Sequence, residues 1–299
     1  MGRVACQAKG RGSELKPTKV IIIGAPRSGT NMLRDVLADL EGVATWPCDE
    51  INYIWRHSNV REPTDEFPAD LAAPRAADYI RKQFDWVSRR YGAHTVVEKT
   101  CANSLRVPFV DAVVPEAKYI FIYRDGLDVV GSAVKRWKAE LDIPYLARKA
   151  RFVPLSDLPF YASRYLWNRV YRVISREERL AFWGPQFKGL DEALANHSLP
   201  EVCALQWQRC VELSEAAFSR MPEGKVARVS YEAFVNKPET ELRRIADELG
   251  LTFGPDALGD AVKGVSPRSV GKGRDALDED TAAAITSLVG DTLQRYGYA

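Results

Sequence analysis

The feature that most constrains this chain lies between residues 19 and 40. Lys19 to Ile23 is a short β-branched run that stops at Gly24, the pattern of a buried strand. From Thr30 the period changes. Met32, Leu33, Val36, Leu37 and Leu40 recur at the spacing of an amphipathic helix. Strand, glycine loop and helix in that order open an α/β domain. The alternation continues downstream. Strands are expected at Thr95 to Glu98, Lys118 to Tyr123 and Val226 to Val229. Helices are expected near Leu127 to Trp137, Leu199 to Ser219, Glu239 to Leu249 and Asp280 to Leu293. Strands alternating with helices imply a parallel sheet covered on both faces. The expected fold is therefore α/β, a three-layer α/β/α sandwich with a central parallel sheet, P-loop-like at its start.

Composition narrows the function classes. The 299 residues are 46% apolar and 27% charged, enough to bury a sizeable core. Lys and Arg number 42 against 40 Asp and Glu, a net charge of +2. So small a sum gives no support for a nucleic-acid or membrane-coating role. The balance is uneven, however. Residues 135 to 188 carry 12 basic and 5 acidic side chains together with 11 aromatics, and prolines interrupt them. This stretch, extended to 135–199, reads as a helical insertion on the sheet domain. Residues 1–18 are polar and basic and read as a flexible N-terminal arm, leaving 19–299 as one domain. Five cysteines form no Cys-x-x-Cys pair and no cluster with His, so neither a disulfide framework nor a metal site is expected. No apolar run approaches transmembrane length. A cytoplasmic protein is the expectation.

Gly24 and Gly29 have the five-residue separation of a phosphate-cradling loop. Backbone N–H groups in such a turn point at one spot, and the dipole of the following helix adds positive potential there. The residue after the second glycine is Thr30, where an ATPase loop needs Lys, and the cation is instead Arg27 within the loop. The strand at 118–123 is followed by Arg124, with Asp125 only after it, so the magnesium-binding Asp of an NTPase is missing.

A second anion site is expected where that strand ends. Arg124 emerges at the carboxyl edge of the sheet, where open α/β sheets bind ligands. Ser132 lies eight residues later. Eight residues of mostly helix span about 12 Å, so a chain folding back beside its helix brings both onto one anion. Two such sites imply a ligand with two separated phosphate groups.

These segments resemble those of sulfotransferases that use 3′-phosphoadenosine 5′-phosphosulfate (PAPS). The Pro26-Arg27-Ser28-Gly29-Thr30 loop resembles that family's 5′-phosphosulfate loop, and Arg124 to Ser132 its 3′-phosphate motif. Glu98-Lys99-Thr100, Ser230-Tyr231-Glu232 and the late loop Ser269 to Arg274 follow in the order the resemblance implies. Gly273 departs from the family pattern, which has an aromatic there. The resemblance spans roughly Lys19 to Tyr298 and covers 135 to 199 poorly.

The resemblance implies roles. Arg27 and Lys99 hold the sulfuryl and bridging oxygens. The backbone of Ser28, Gly29, Thr30 and Asn31, with the Thr30 hydroxyl, holds the 5′-phosphate. Arg124, Ser132 and one of Lys272 or Arg274 hold the 3′-phosphate. No metal is required if these cations neutralise the developing charge. The acceptor hydroxyl must lose a proton, so a general base is needed. Some members place a His directly after Lys-Thr; here that residue is Cys101. Others use a Glu downstream of the first helix. Glu50 is the choice here, with Asp49 and His57 as alternatives. Two adjacent acids raise a pKa between them, which suits a base. Aromatic and basic residues of the insertion, among them Trp137, Tyr145, Tyr161, Tyr165, Trp167 and Trp183, favour a carbohydrate or glycolipid acceptor, with a natural product second. Competing expectations are a P-loop kinase or NTPase, and a catalytically silent module that binds adenosine 3′,5′-bisphosphate (PAP).

Overall fold

The computed structural model describes residues 16–138, 151–163, 166–167, 183–254 and 256–298. Its sheet has five parallel strands: β1 (Thr18–Ile23), β2 (Val43–Ala44), β3 (Thr95–Lys99), β4 (Lys118–Tyr123) and β5 (Val226–Ser230). Their spatial order is β2-β3-β1-β4-β5. The helices, in chain order, are α1 (Thr30–Ala38), α2 (Asn52–Trp55), α3 (Pro74–Tyr91), α4 (Val107–Val113), α5 (Gly126–Trp137), α6 (Leu190–Asn196), α7 (Leu199–Phe218), α8 (Tyr231–Asn236), α9 (Pro238–Glu248), α10 (Ala257–Ala261) and α11 (Glu279–Arg295).

The strands are apolar runs because both sheet faces are covered, and the period-2 alternation of side chains divides them between two cores. Ile21 and Ile23 of β1, with Tyr119 and Phe121 of β4, face a core filled by α3, α4, α5, α7 and α11. Val20 and Ile22, with Ile120 and Ile122, face a second core closed by α1, α8, α9 and α10. The three expected layers are present. Residues 135–137 are the last turn of α5, while Phe187, Leu190 and Ala193 join the first core. The described ends of the 135–199 segment are thus packed on the sheet domain. The N-terminal arm through residue 15 lies outside the described residues.

Sequence alternation leaves out β2 and, among the helices, α2, α3, α4, α6, α8 and α10. Two residues of β2 are too few to show a period. The α3 signals are present: Pro74 stands in its first turn, and Gly92 ends it in the left-handed conformation, φ 66°. The register sets the site. Ile22 of β1 lies beside Lys99 of β3, and Ile23 beside Phe121 of β4. The loops that follow these three neighbouring strands therefore leave the same sheet edge, at the point where the chain order reverses.

Candidate active site

The loop after β1 turns tightly before α1. Ser28 N–H donates to the Ala25 carbonyl at 3.2 Å, and Leu33 N–H to the Gly29 carbonyl at 3.0 Å. Arg27 has φ 72° and Gly29 φ 88°. The first is a left-handed conformation that a non-glycine residue rarely adopts, and such strain gathers at ligand clamps. Gly29 is constrained twice, since a Cβ there would lie 2.5 Å from the Tyr231 ring. The Ser28 hydroxyl is fully buried and has no hydrogen-bond partner among the described residues. Pro26 is buried, Asn31 is exposed, and Thr30 Oγ1 lies 3.7 Å from Cys101 Sγ.

Arg27 Nε donates to Ser132 Oγ at 2.9 Å, so the two segments predicted to hold phosphates meet. Desolvation, then the positive charges of Arg136 and Arg124, pull the Arg27 guanidinium below its usual value. Cations crowded in this way are relieved by an anion. Arg124 is buried. It donates from Nε to Asp128 Oδ2 at 3.0 Å and from Nη1 to the Arg27 carbonyl at 3.0 Å. Its Nη2 reaches the Ser269 carbonyl at 2.5 Å, and its guanidinium lies 4.2 Å from the centre of the Tyr231 ring. Asp125 caps α5 by accepting from Leu127 N–H at 3.0 Å, and it pairs with Arg274 Nε at 3.2 Å. Arg274 also donates to the Tyr298 carbonyl at 3.1 Å, and both it and Lys272 are exposed. The glycine at 273 has a packing reason. A Cβ there would lie 1.9 Å from the Asp128 carbonyl, and one on Gly131 would lie 2.0 Å from the Gly273 carbonyl.

Glu50 and Lys99 come together. Lys99 Nζ donates to Glu50 Oε1 at 3.0 Å, and Cys101 N–H donates to the same oxygen at 3.3 Å. Lys99 is nearly fully buried. Burial works against its charge, but Glu50, then Cys101 and Asp49, outweigh it and hold the ammonium above its usual value. Glu98, on the opposite face of β3, does not pair with Lys99. It accepts from Thr100 Oγ1 at 2.6 Å and from Asn103 Nδ2 at 3.1 Å. Thr100 Oγ1 also accepts from Ile51 N–H at 3.1 Å, which fixes the backbone beside Glu50. Burial pushes the Glu98 carboxyl up to about 7, against the pull of the Thr100 hydrogen bond.

His57 is held by partners of its own. Its Nδ1 is 2.9 Å from Asp157 Oδ2, and its ring packs 4.2 Å from that of Tyr79. Tyr161 meets Tyr53 with ring centres 4.6 Å apart, so the insertion touches the segment that follows Glu50. Of the other insertion aromatics, Trp137 is fully buried against Trp183, and Trp167 is 67% exposed. Tyr145 and Tyr165 lie outside the described residues. Sequence reading missed Asp128, although its separation of four residues from Arg124 is that of a helical ion pair. Among the described residues no group of three or more His, Cys, Asp or Glu could hold a metal ion.

The profile of the sulfotransferase family matches residues 17–152 and 168–255. A search of curated proteins finds no significant match. Among solved structures, the chain is similar to the sulfotransferase domain from the curacin biosynthetic pathway, at 14% identity and TM-score 0.53, over 95% of this chain and 98% of that one. It is similar to sulfotransferase STF9 from Mycobacterium avium, at 12% identity and TM-score 0.53, over 95% and 78% of the two chains. A sulfotransferase from Alicyclobacillus acidocaldarius matches at 16% identity and TM-score 0.51, over 93% of each chain. At these identities the likeness shows the fold.

Proposed function

Because this chain belongs to the sulfotransferase family, we propose that it moves a sulfuryl group from PAPS to a hydroxyl of a small-molecule or carbohydrate acceptor. The observation that carries the donor is the loop after β1. It buries a serine hydroxyl with no partner among the described residues, beside a guanidinium that feels the charge of two others. Both features fit a bound phosphate or sulfate.

Bound PAPS supplies the sulfuryl group and a phosphate leaving group that gains negative charge. In-line transfer then demands placement and charge neutralisation from the protein. Arg27 and Lys99 neutralise charge around the sulfuryl group and the bridging oxygen. The Ser28 hydroxyl, the N–H groups of Ser28 to Asn31 and the Thr30 hydroxyl hold the 5′-phosphate. Arg124 and Ser132 hold the 3′-phosphate with Lys272, which we favour over Arg274 because Asp125 and the Tyr298 carbonyl engage the latter. These cations do the neutralising, and the reading assigns no metal. Glu50 takes the acceptor proton. It is favoured over Asp49 and His57 because Lys99 and the Cys101 amide fix its carboxylate beside the cation set. His57 is engaged with Asp157.

A carbohydrate or glycolipid hydroxyl is the first acceptor class and a natural product the second, on the strength of the insertion's aromatic and basic residues. Nucleic acid is not a proposed partner. A cytoplasmic location fits the reduced thiols of Cys101, Cys203 and Cys210. No described helix is long and apolar enough to cross a membrane.

Thermal melts with PAP and with ATP-Mg test the reading. A ligand at 100 times its Kd stabilises by about 2.7 kcal/mol, so PAP should raise Tm and ATP-Mg should not. A flat PAP response overturns the proposal, and a response to ATP-Mg alone favours a kinase or NTPase. PAP binding without sulfuryl transfer to any hydroxyl acceptor from labelled PAPS identifies a silent module.

A further inference from the structure

Asp128 has no part in the roles above, yet it joins three loops of the site. Its carboxylate is 1% exposed, in the first turn of α5. Oδ1 accepts from the backbone N–H groups of Gly273 and Arg274. Oδ2 accepts from Gly271 N–H at 3.0 Å and from Arg124 Nε at 3.0 Å, with Arg124 Nη2 as a further donor. Arg124 in turn holds the Arg27 carbonyl in the loop after β1 and the Ser269 carbonyl in the late loop. A buried carboxylate is tolerated only when its acceptor capacity is filled, and charge-assisted bonds of this kind are the strong ones. The late loop has no strand to fix it, and its contact with α5 leaves no room for a side chain at Gly131 or Gly273.

We propose that Asp128 is a positioning residue for the nucleotide's 3′-phosphate. It fastens the late loop on α5 and orients Arg124, and by doing both it sets the preference for PAP over 5′-AMP, which lacks that phosphate. The inference rests on the PAPS reading. An amide in place of the carboxylate keeps the size and one acceptor oxygen. Its NH2 group cannot accept from Gly271 N–H or from Arg124, and Arg124 loses its counter-charge.

The test is calorimetric binding of PAP and 5′-AMP to the wild-type protein, to Asp128→Asn and to Gly273→Ala. The wild-type protein should prefer PAP. Asp128→Asn should lower the PAP-to-AMP preference by about 10-fold or more, the scale of one lost charge-assisted hydrogen bond, while AMP affinity stays within about 3-fold. Gly273→Ala leaves every charge in place but sets a Cβ against the Asp128 carbonyl, so it should displace the loop and lower the same ratio. That variant decides the matter if Asp128→Asn does not fold. In folded Asp128→Asn, the amides of Gly271 and Gly273 should exchange with deuterium faster than in wild type. An unchanged PAP-to-AMP ratio in the folded variants overturns the inference, as does an equal loss for both ligands. A wild-type protein without PAP preference overturns the PAPS reading and this inference with it, and the wild-type arm alone reveals that case.

Discussion

Arg27 Nε and Ser132 Oγ meet at 2.9 Å, which joins the loop after β1 to α5. The contact joins the two segments assigned to the two phosphates through one guanidinium. Arg27→Ala should lower sulfuryl-transfer turnover by more than about 10-fold, the lower edge of what one lost charge-stabilising contact costs. Steady-state kinetics with saturating PAPS read the effect. Unchanged turnover would remove Arg27 from the chemistry.

Glu50 is tested separately from nucleotide binding. Glu50→Gln keeps the shape and an oxygen for Lys99 and the Cys101 amide but cannot take a proton. Turnover should fall by about 10²-fold or more, the range of a lost general base, with PAP affinity close to that of wild type. A near-normal rate with intact PAP binding would exclude Glu50 as the base and direct attention to Asp49 or His57.

The same residues show how much of the site is legible in sequence. Lys19 to Ile23 and the helix from Thr30 announce themselves because burial on both sheet faces and on one helix face writes two different periods. The pairing of Glu50 with Lys99 is not written anywhere. It depends on β3 lying beside β1 and on the loop after β2 folding over that edge. Asp128 was open to reading from its spacing to Arg124. Its bonds to Gly271 and Gly273 come from 143 and 145 residues away and depend on the tertiary fold. Trp137 shows the opposite failure. Taken with the acceptor aromatics, it continues the Val130-Ala133-Trp137 stripe of α5 and is fully buried. A helical period reaching into the insertion was the available signal.

Glu98 gives stability a pH dependence. Its carboxyl is raised from 4.5 to about 7 in the folded protein, first by burial. The folded state therefore keeps a proton that the unfolded chain has released between those values. By linkage, stability is highest below that window and declines as pH rises through it, by roughly 3 kcal/mol at most. Glu98→Gln removes the titration. Urea unfolding at pH 5 and pH 8 should show a smaller decline for Glu98→Gln than for wild type. Equal declines would show that Glu98 does not hold the proton.

Ser28 sets stability against binding. Its buried hydroxyl has no partner among the described residues, and an unsatisfied buried polar group costs about 1–3 kcal/mol. Ser28→Ala removes that cost, so the protein without nucleotide should become more stable, by about 1 kcal/mol. The hydroxyl's proposed use is to donate to the 5′-phosphate, so the same substitution should weaken PAP. Melting curves and PAP titrations on one preparation read both signs. A higher Tm with weaker PAP binding is expected, because the loop is built for an anion that the hydroxyl meets only on binding. A lower Tm with unchanged PAP affinity would mean that Ser28 serves packing, and would remove it from the phosphate site.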